Sequence, residues 1–197
     1  MRTIASAAVV GLLGLAAVIP LANAQPSMPR KAPEITIVES SGNKIPLSSY
    51  KGKVVVLALI STICPHCQKE CEMLTQLYAE MKPKGVQMAA IAFNDNAAML
   101  VPNFIRDHGV MFPVGSAKPE TVLDFLGFSV MDRYNVPQIA VIDKKGMIRA
   151  QSGPMGDPNL QDMVFLRNLI NNLLSEGAAT SGKAAPTAKT AAKGSSN

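Results

Sequence analysis

The stretch that decides the fold starts at residue 54 and reads VVVLALI, then STI, then CPHC at residues 64–67 and QKECEM at 68–73. An apolar, β-branched run of this length is typical of a strand buried on both faces. The residues after it follow a helical pattern, so Cys64 and Cys67 are expected at a strand-to-helix turn. Since α/β proteins place their chemistry at this edge of the sheet, we expect the functional site there.

The helix predicted after this turn has a single buried face. Its members follow the three- and four-residue spacing that marks the inward side of an amphipathic helix. They are Cys67, Glu70, Cys71, Leu74, Leu77, Tyr78 and Met81. Two thiols and a carboxylate are therefore expected to lie against the sheet.

The rest of the chain predicts an α/β domain with a mixed sheet between helices. Residues 34–38 are expected to form an edge strand, and Pro46 confines the next extended piece to an edge. Further strands are predicted at 86–93, 110–114, 138–142 and 147–151, and further helices at 97–108, 120–134 (interrupted by Gly127) and 159–175.

The two ends of the chain differ in composition from the middle. Residues 1–24 combine an early arginine, an Ala-rich apolar run and a final Ala-Asn-Ala, which predicts a cleaved signal peptide. Residues 25–33 are rich in proline and predict an extended lead-in to a single domain at 34–176. Residues 177–197 contain no large apolar side chain and predict a disordered tail.

This organisation predicts a periplasmic or secreted protein without stable membrane insertion. An uncleaved N-terminal membrane anchor is the alternative, because the apolar run approaches spanning length. The net charge of +5 does not indicate a nucleic-acid partner, since three of the lysines lie in the tail and the chain has no Trp.

The three cysteines of the chain lie within eight residues of one another, which ties them to one local site. A structural zinc site would need a second pair of ligands, and only Cys71, His66 and His108 remain for it. A redox pair fits better, because backbone N–H groups and the dipole at a helix start stabilise a thiolate at Cys64. We therefore predict no metal and no cofactor.

Neighbouring residues are expected to tune this pair. Pro65 suits the first helical position, and His66 can stabilise the thiolate and make the disulfide more oxidising; a solvated turn residue is the alternative for His66. Burial should raise the pKa of Glu70, which makes it a candidate proton acceptor for Cys67, with an ion pair to a nearby lysine as the alternative. Cys71 is expected to act as a small buried hydrophobe, with a non-native disulfide to Cys67 or Cys64 as the alternative.

The order of these features resembles the thioredoxin superfamily: a buried strand, the CPHC turn, a helix, and Val136–Pro137 ahead of a late hairpin. The segment from Ser48 to Leu57 is similar to the TlpA/ResA group of exported thiol–disulfide oxidoreductases, whose domain is of the redoxin or AhpC/TSA type. That group has an extra strand and helix between the active site and the cis-proline strand, which matches residues 86–108. The resemblance therefore implies a thioredoxin-like fold with this insertion.

The resemblance also implies roles for individual residues. Cys64 would attack a substrate disulfide, Cys67 would resolve the mixed disulfide, and Glu70 matches the acid that follows the second cysteine. Pro137 would be the cis-proline beside a bound peptide. The CPHC sequence and the valine before Pro137 are similar to DsbA-type oxidants.

Substrate contacts are expected at Val136, Pro137 and Ile63, although Ile63 replaces the aromatic residue usual before the first cysteine. Ala58 stands where thioredoxins keep a buried Asp, which leaves Glu70 as the candidate for that role.

The function expected from these features is disulfide exchange with client proteins. A membrane or soluble redox partner would then reduce or reoxidise the cysteine pair. A peroxiredoxin-like thiol peroxidase is the first alternative, because the inserted strand and helix are shared and residues 62–64 approximate its motif. A Cu(I)-handling module using Cys64, Cys67 and His66 is the second.

Overall fold

The computed structural model describes residues 26–176. Its strands are β1 (Arg30–Lys31), β2 (Thr36–Val38), β3 (Lys44–Pro46), β4 (Val54–Ile60), β5 (Val86–Ala92), β6 (Val114–Ser116), β7 (Gln138–Ile142) and β8 (Met147–Gln151). Its α-helices are α1 (Pro65–Met81), α2 (Ala97–Asp107), α3 (Pro119–Leu126) and α4 (Met163–Glu176). The predicted signal peptide and tail lie outside the described residues.

The strands form one eight-stranded mixed sheet in the order β1-β8-β7-β4-β5-β6-β2-β3. β4 pairs in parallel with β5 and antiparallel with β7, and β5 pairs in parallel with β6. Because β7 runs antiparallel to β4, its start at Gln138 lies opposite Leu59, at the end of β4. The carboxyl end of β4 and the amino end of β7 therefore meet at one edge of the sheet.

All seven residues of β4 are buried, as the apolar run predicts. Alternate side chains enter two different cores, since strand side chains point to opposite faces. The core that contains Val54 and Val56 also takes apolar residues of α1, α2 and α4, whereas the core that contains Val55 and Leu57 takes those of α3. The fold is thus a sheet between two helical layers, and the predicted α/β, thioredoxin-like class is confirmed.

Two elements near the amino end differ from the sequence prediction. β2 is not an edge strand, because β3 folds back on its outer side while β6 pairs on the other; Pro46 does lie at the edge, as predicted. β1 pairs with β8, so the sheet includes residues 30–31, which precede the predicted domain start. Two-residue strands carry too short a pattern to be read from sequence.

Two helix bounds also differ from prediction. The helix predicted at 120–134 is α3, which ends at Leu126 because Gly127 adopts a left-handed conformation (φ 71°) and its N–H bonds back to Asp124 and Leu123 carbonyls. α4 begins at Met163 rather than residue 159, and the carboxylate of Asp162 accepts a hydrogen bond from the Phe165 N–H at 2.8 Å. Within the described residues, no helix is long and apolar enough to cross a membrane.

Candidate active site

Cys64 lies at the turn from β4 into α1, in the N-cap position of the helix. Its carbonyl accepts the first helical hydrogen bond, from the Gln68 N–H at 3.1 Å, and Pro65 occupies the first turn without losing a needed donor. The Cys64 side chain is half-buried, and its Sγ lies 3.8 Å from the Val136 carbonyl oxygen. The first cysteine thus reaches solvent at the helix start.

Cys67, one turn into α1, has no exposed surface. The Ser61 N–H lies 3.4 Å from its Sγ, and all three cysteines are free thiols. Burial raises the pKa of Cys67 far above its ordinary value, and its hydrogen bond with Cys64 and the nearby Cys71 add to this effect. The two cysteines of the pair therefore differ sharply in solvent access.

Glu70 is 5% exposed, on the same face of α1. Burial raises its carboxyl pKa to about 7. Among the described residues its Oε1 atom has no hydrogen-bond partner and the carboxylate forms no ion pair with a lysine. A carboxyl group with a pKa of about 7 can exchange a proton near neutral pH, as the role of proton acceptor requires.

Cys71 is also fully buried and packs in the core between α1 and the sheet. Burial, together with negative charge on Glu70 and Glu72, raises its pKa to about 12. Cys71 therefore responds to Glu70, while Cys67 responds to Cys64 and Cys71. Cys67, Glu70 and Cys71 thus share the buried face of α1, and Cys64 lies just before it at the helix start.

Three polar side chains that sequence reasoning missed hold the approach to Cys64. The Thr62 N–H donates to Asn94 Oδ1 at 2.9 Å, and Asn94 Nδ2 donates to Thr62 Oγ1 at 3.2 Å. From the other side, Gln68 Nε2 donates to the Thr62 carbonyl at 3.2 Å. Asn94 lies two residues after the end of β5, so the loop after this strand fixes the backbone that leads into the cysteine pair. This proximity arises only when β4 and β5 are paired.

The Val136–Pro137 segment faces this turn across the sheet edge. Its peptide bond is cis, as the family resemblance implies. Together with His66, these two residues line an open cleft whose other walls include Tyr134, Met155 and Gln161. His66 is exposed at its rim, and Ile63 is 71% exposed beside Cys64.

Of the predicted site residues, His66, Val136 and Pro137 line this opening, and Cys64 lies beside it against the Val136 carbonyl. Ile63 and Pro65 flank Cys64 in the chain. Cys67 and Glu70 lie beneath this opening, on the buried face of α1. Within residues 26–176, no three His, Cys, Asp or Glu side chains converge as a metal-binding group.

The sequence profile of the AhpC/TSA family matches residues 28–151. The chain is 32% identical over 122 residues to the thiol-disulfide oxidoreductase ResA of Bacillus thuringiensis (strain Al Hakam), covering 62% of this chain and 67% of that protein. It is 31% identical over 139 residues to ResA of Bacillus subtilis (strain 168), covering 68% and 73%.

A crystal structure from Chlorobium tepidum TLS, described as a thioredoxin-family thiol:disulfide interchange protein, superposes with a TM-score of 0.61. It is 25% identical, and the match covers 76% of this chain and 99% of that one. The family profile, the relatives and the fold therefore agree: the chain belongs to the AhpC/TSA family, and within the thioredoxin superfamily it is a TlpA/ResA-like thiol–disulfide oxidoreductase.

Proposed function

We propose that Cys64 is the nucleophile and Cys67 the resolving cysteine of a protein-disulfide oxidoreductase that works in the cell envelope. The observation that carries this proposal is the difference in burial: Cys64 is half-exposed beside Val136, whereas Cys67 is fully buried. A client sulfur can reach the first thiol but not the second. The two cysteines therefore act in a fixed order.

In the reducing direction, the Cys64 thiolate attacks one sulfur of a client disulfide, and the other client sulfur leaves as a thiolate. Cys67 then gives up its proton and attacks the Cys64 sulfur, which forms the Cys64–Cys67 disulfide and releases the second client thiolate. Two electrons pass to the client, which takes up two protons as it becomes a dithiol. Starting from the Cys64–Cys67 disulfide, the same steps run in reverse and oxidise the client.

Glu70 is the proposed proton acceptor for Cys67. Support comes from its burial, its unpartnered Oε1 atom and a pKa near 7, which lets the carboxyl group gain or lose a proton at working pH. Glu70 follows Cys67 by three residues on the same buried face of α1, which places the two side chains about one helical turn apart. Without such an acceptor, the raised pKa of Cys67 would keep it protonated and slow to attack.

Client recognition is assigned to the opening around Cys64. The backbone of Val136–Pro137 would pair with an extended client segment, and the exposed Ile63 side chain would contact its apolar residues. His66 at the rim would favour the Cys64 thiolate and so the reduced form. We expect this stabilisation to make the protein an oxidant, with a reduction potential above the value of about −270 mV typical of thioredoxin.

The signal-peptide pattern of residues 1–24 supports export, so we propose that the active site works in the periplasm or outside the cell. A membrane-bound or soluble thiol–disulfide carrier must then exchange electrons with Cys64 and Cys67 after each client. Disulfides persist in that compartment, so the proposed chemistry has substrates there.

A redox titration of the full chain against glutathione tests the proposal. We expect a single two-electron transition of the Cys64–Cys67 pair at a potential above that of thioredoxin, with turnover of a disulfide-containing peptide. A potential as low as that of thioredoxin would overturn the oxidant direction and indicate a reductase. Absence of any two-electron transition at Cys64 and Cys67 would overturn the assignment of the cysteine roles.

A further inference from the structure

Two backbone segments beside Cys64 are joined by one buried side chain, that of Gln138. We propose that Gln138 is a positioning residue that sets the spacing between the Val136–Pro137 segment and the turn at 153–156, and thereby the affinity for polypeptide clients. This inference rests on the proposed function, because it concerns the substrate class that the same opening accepts.

The Gln138 side chain reaches both segments with a single nitrogen. Its Nε2 atom donates to the Asn135 carbonyl at 2.7 Å and to the Pro154 carbonyl at 3.1 Å. Gln138 has no exposed surface, so these two bonds form away from competing water. One amide group thus links the segment before Pro137 to the turn opposite it.

Asn135 ties the same two segments from the surface. Its N–H donates to the Pro154 carbonyl at 2.8 Å, and its Nδ2 donates to the Met155 carbonyl at 3.2 Å. The turn itself is closed by a bond from the Gly156 N–H to the Gly153 carbonyl at 2.8 Å. The turn is therefore a small rigid unit whose position depends on Gln138 and Asn135.

The carbonyl oxygen of the Gln138 side chain is destabilising where it lies. Its Oε1 atom is buried and, among the described residues, has no hydrogen-bond partner. An unsatisfied buried carbonyl is destabilising, and an apolar side chain of similar size would avoid this penalty. The Nε2 donor gives the side chain its structural role, because both of its acceptors, the Asn135 and Pro154 carbonyls, lie in the segments that line the cleft.

One of these segments contacts the reacting sulfur, and the other faces it across the adjoining cleft. The Val136 carbonyl lies 3.8 Å from Cys64 Sγ, and Met155, at the tip of the turn, is 67% exposed. Val136, Pro137 and Met155 all line the cleft that contains His66. A shift of the turn relative to Val136 would change the width of the cleft without moving Cys64 on α1.

This separation predicts which substrates depend on Gln138. An extended polypeptide must contact both walls of the cleft while its sulfur meets Cys64, so its binding depends on the spacing between the walls. A small disulfide needs only the sulfur of Cys64, which is placed by α1 and by Thr62. Gln138 therefore discriminates polypeptide clients from small disulfides.

The test compares Gln138→Leu with Gln87→Leu in steady-state assays on a cysteine-containing peptide disulfide and on bis(2-hydroxyethyl) disulfide. Gln87 is the matched control, because it is also buried and its Nε2 donates to a carbonyl, that of Met88, at 2.7 Å near the far end of β5. For Gln138→Leu we expect KM for the peptide to rise about tenfold with little change in kcat, while small-disulfide turnover stays within twofold. Gln87→Leu should leave both assays within twofold of wild type.

A second variant tests the same spacing at an exposed residue, where a substitution leaves the core unchanged. Asn135→Ala removes only the exposed bond to the Met155 carbonyl, and we expect a two- to threefold rise in peptide KM with unchanged small-disulfide turnover. Equal losses on both substrates, or the same KM change in Gln87→Leu, would overturn the positioning role. If the wild-type protein turns over neither disulfide, the proposed function itself fails. If the wild-type protein and Gln138→Leu are both active and have the same KM for the peptide, only the positioning role of Gln138 fails.

Discussion

The start of α1 and the residues just before it form two regions with opposite surroundings. The exposed region consists of Ile63, Cys64 and His66, and the buried region consists of Cys67, Glu70 and Cys71. They are separated by about one helical turn, or roughly 5 Å along the axis. In the exposed region a thiol is accessible to other proteins, whereas in the buried region every ionisable group has its pKa raised by burial.

The comparison shows how one helix gives two identical thiols different chemistry. Cys64 precedes the first turn and stays at the surface, while Cys67 falls on the face that packs against β4. Desolvation disfavours the thiolate of Cys67. This difference supports the proposed order, in which Cys64 reacts with the client first.

Removing either sulfur of the Cys64–Cys67 pair should have the largest effect on client turnover. We expect Cys64→Ser to reduce client turnover to background, a loss of at least about 10⁴-fold, because the group that attacks the client is gone. Cys67→Ser should instead stop after the first step and accumulate a Cys64–client mixed disulfide, visible by mass spectrometry of non-reduced samples. Accumulation of the adduct on Cys67 in a Cys64→Ser variant would reverse the assigned order.

Alkylation of the reduced native protein measures how far the reactivity of Cys64 differs from that of the buried cysteines. At pH 8 we expect iodoacetamide to modify Cys64 and to modify Cys71 roughly 1,000-fold more slowly than it modifies the same thiol in the unfolded chain, since a pKa raised from 9.0 to about 12 lowers the thiolate fraction of Cys71 by that factor. Cys67 should be protected as well, because its pKa is also raised by burial. The rates should become similar in urea, and comparable native rates for Cys64 and Cys67 would contradict the burial difference.

The buried carboxylate should make folding stability depend on pH. The pKa of Glu70 is raised from 4.5 to about 7, so the folded state holds a proton that the unfolded state releases in this window. Its contribution is fully present below pH 4.5 and is lost as pH rises through 7, which amounts to about 3 kcal/mol. Glu70→Gln should remove this loss.

Urea unfolding of the reduced protein between pH 4.5 and 8 provides the measurement. Glu72→Gln is the control, because Glu72 is an exposed carboxylate on the same helix, 2.8 Å from His108. The difference between wild type and Glu70→Gln should grow as pH rises. An identical pH slope in the two proteins would show that Glu70 is not buried as described.

Among the substitutions in the buried region, Cys71→Ala should have the smallest effect on stability and client turnover. Cys71→Ala deletes a fully buried sulfur that packs in the core, and we expect a loss of about 1 kcal/mol in unfolding free energy with client turnover within about threefold. Thermal unfolding and the peptide assay measure the two quantities. A loss of activity comparable to that of Cys67→Ser would assign Cys71 a direct part in disulfide exchange.

Much of the framework could be predicted from local pattern. The apolar run of β4, the seven-residue buried face of α1 and the strands of the late hairpin occur where the periodicity placed them. The helical prediction beyond Gly127 was wrong, because side-chain pattern alone does not register that this glycine reverses the backbone (φ 71°). The position of β2 depended on which strand pairs outside it, and no local pattern encodes that choice.

The candidate site divides in the same way. Cys64, Pro65, His66, Cys67 and Glu70 are adjacent in sequence, so their spacing on a helix was enough to group them. Asn94, Gln138 and the turn at 153–156 reach the cysteines only through the pairing of β4 with β5 and β7. Their roles could not be read from a sequence in which more than 25 residues separate each from Cys64.

By itself, the sequence determined that a dithiol lies at the start of an amphipathic helix after a buried strand, because hydrophobic periodicity acts over a few residues. Only the tertiary structure decided what surrounds each thiol. Burial against β4 raises the pKa values of Cys67, Glu70 and Cys71, and the Val136 carbonyl contacts Cys64 from more than 70 residues away. Solvent exclusion and long-range contacts arise when the sheet assembles, and they turn a cysteine motif into an ordered active site.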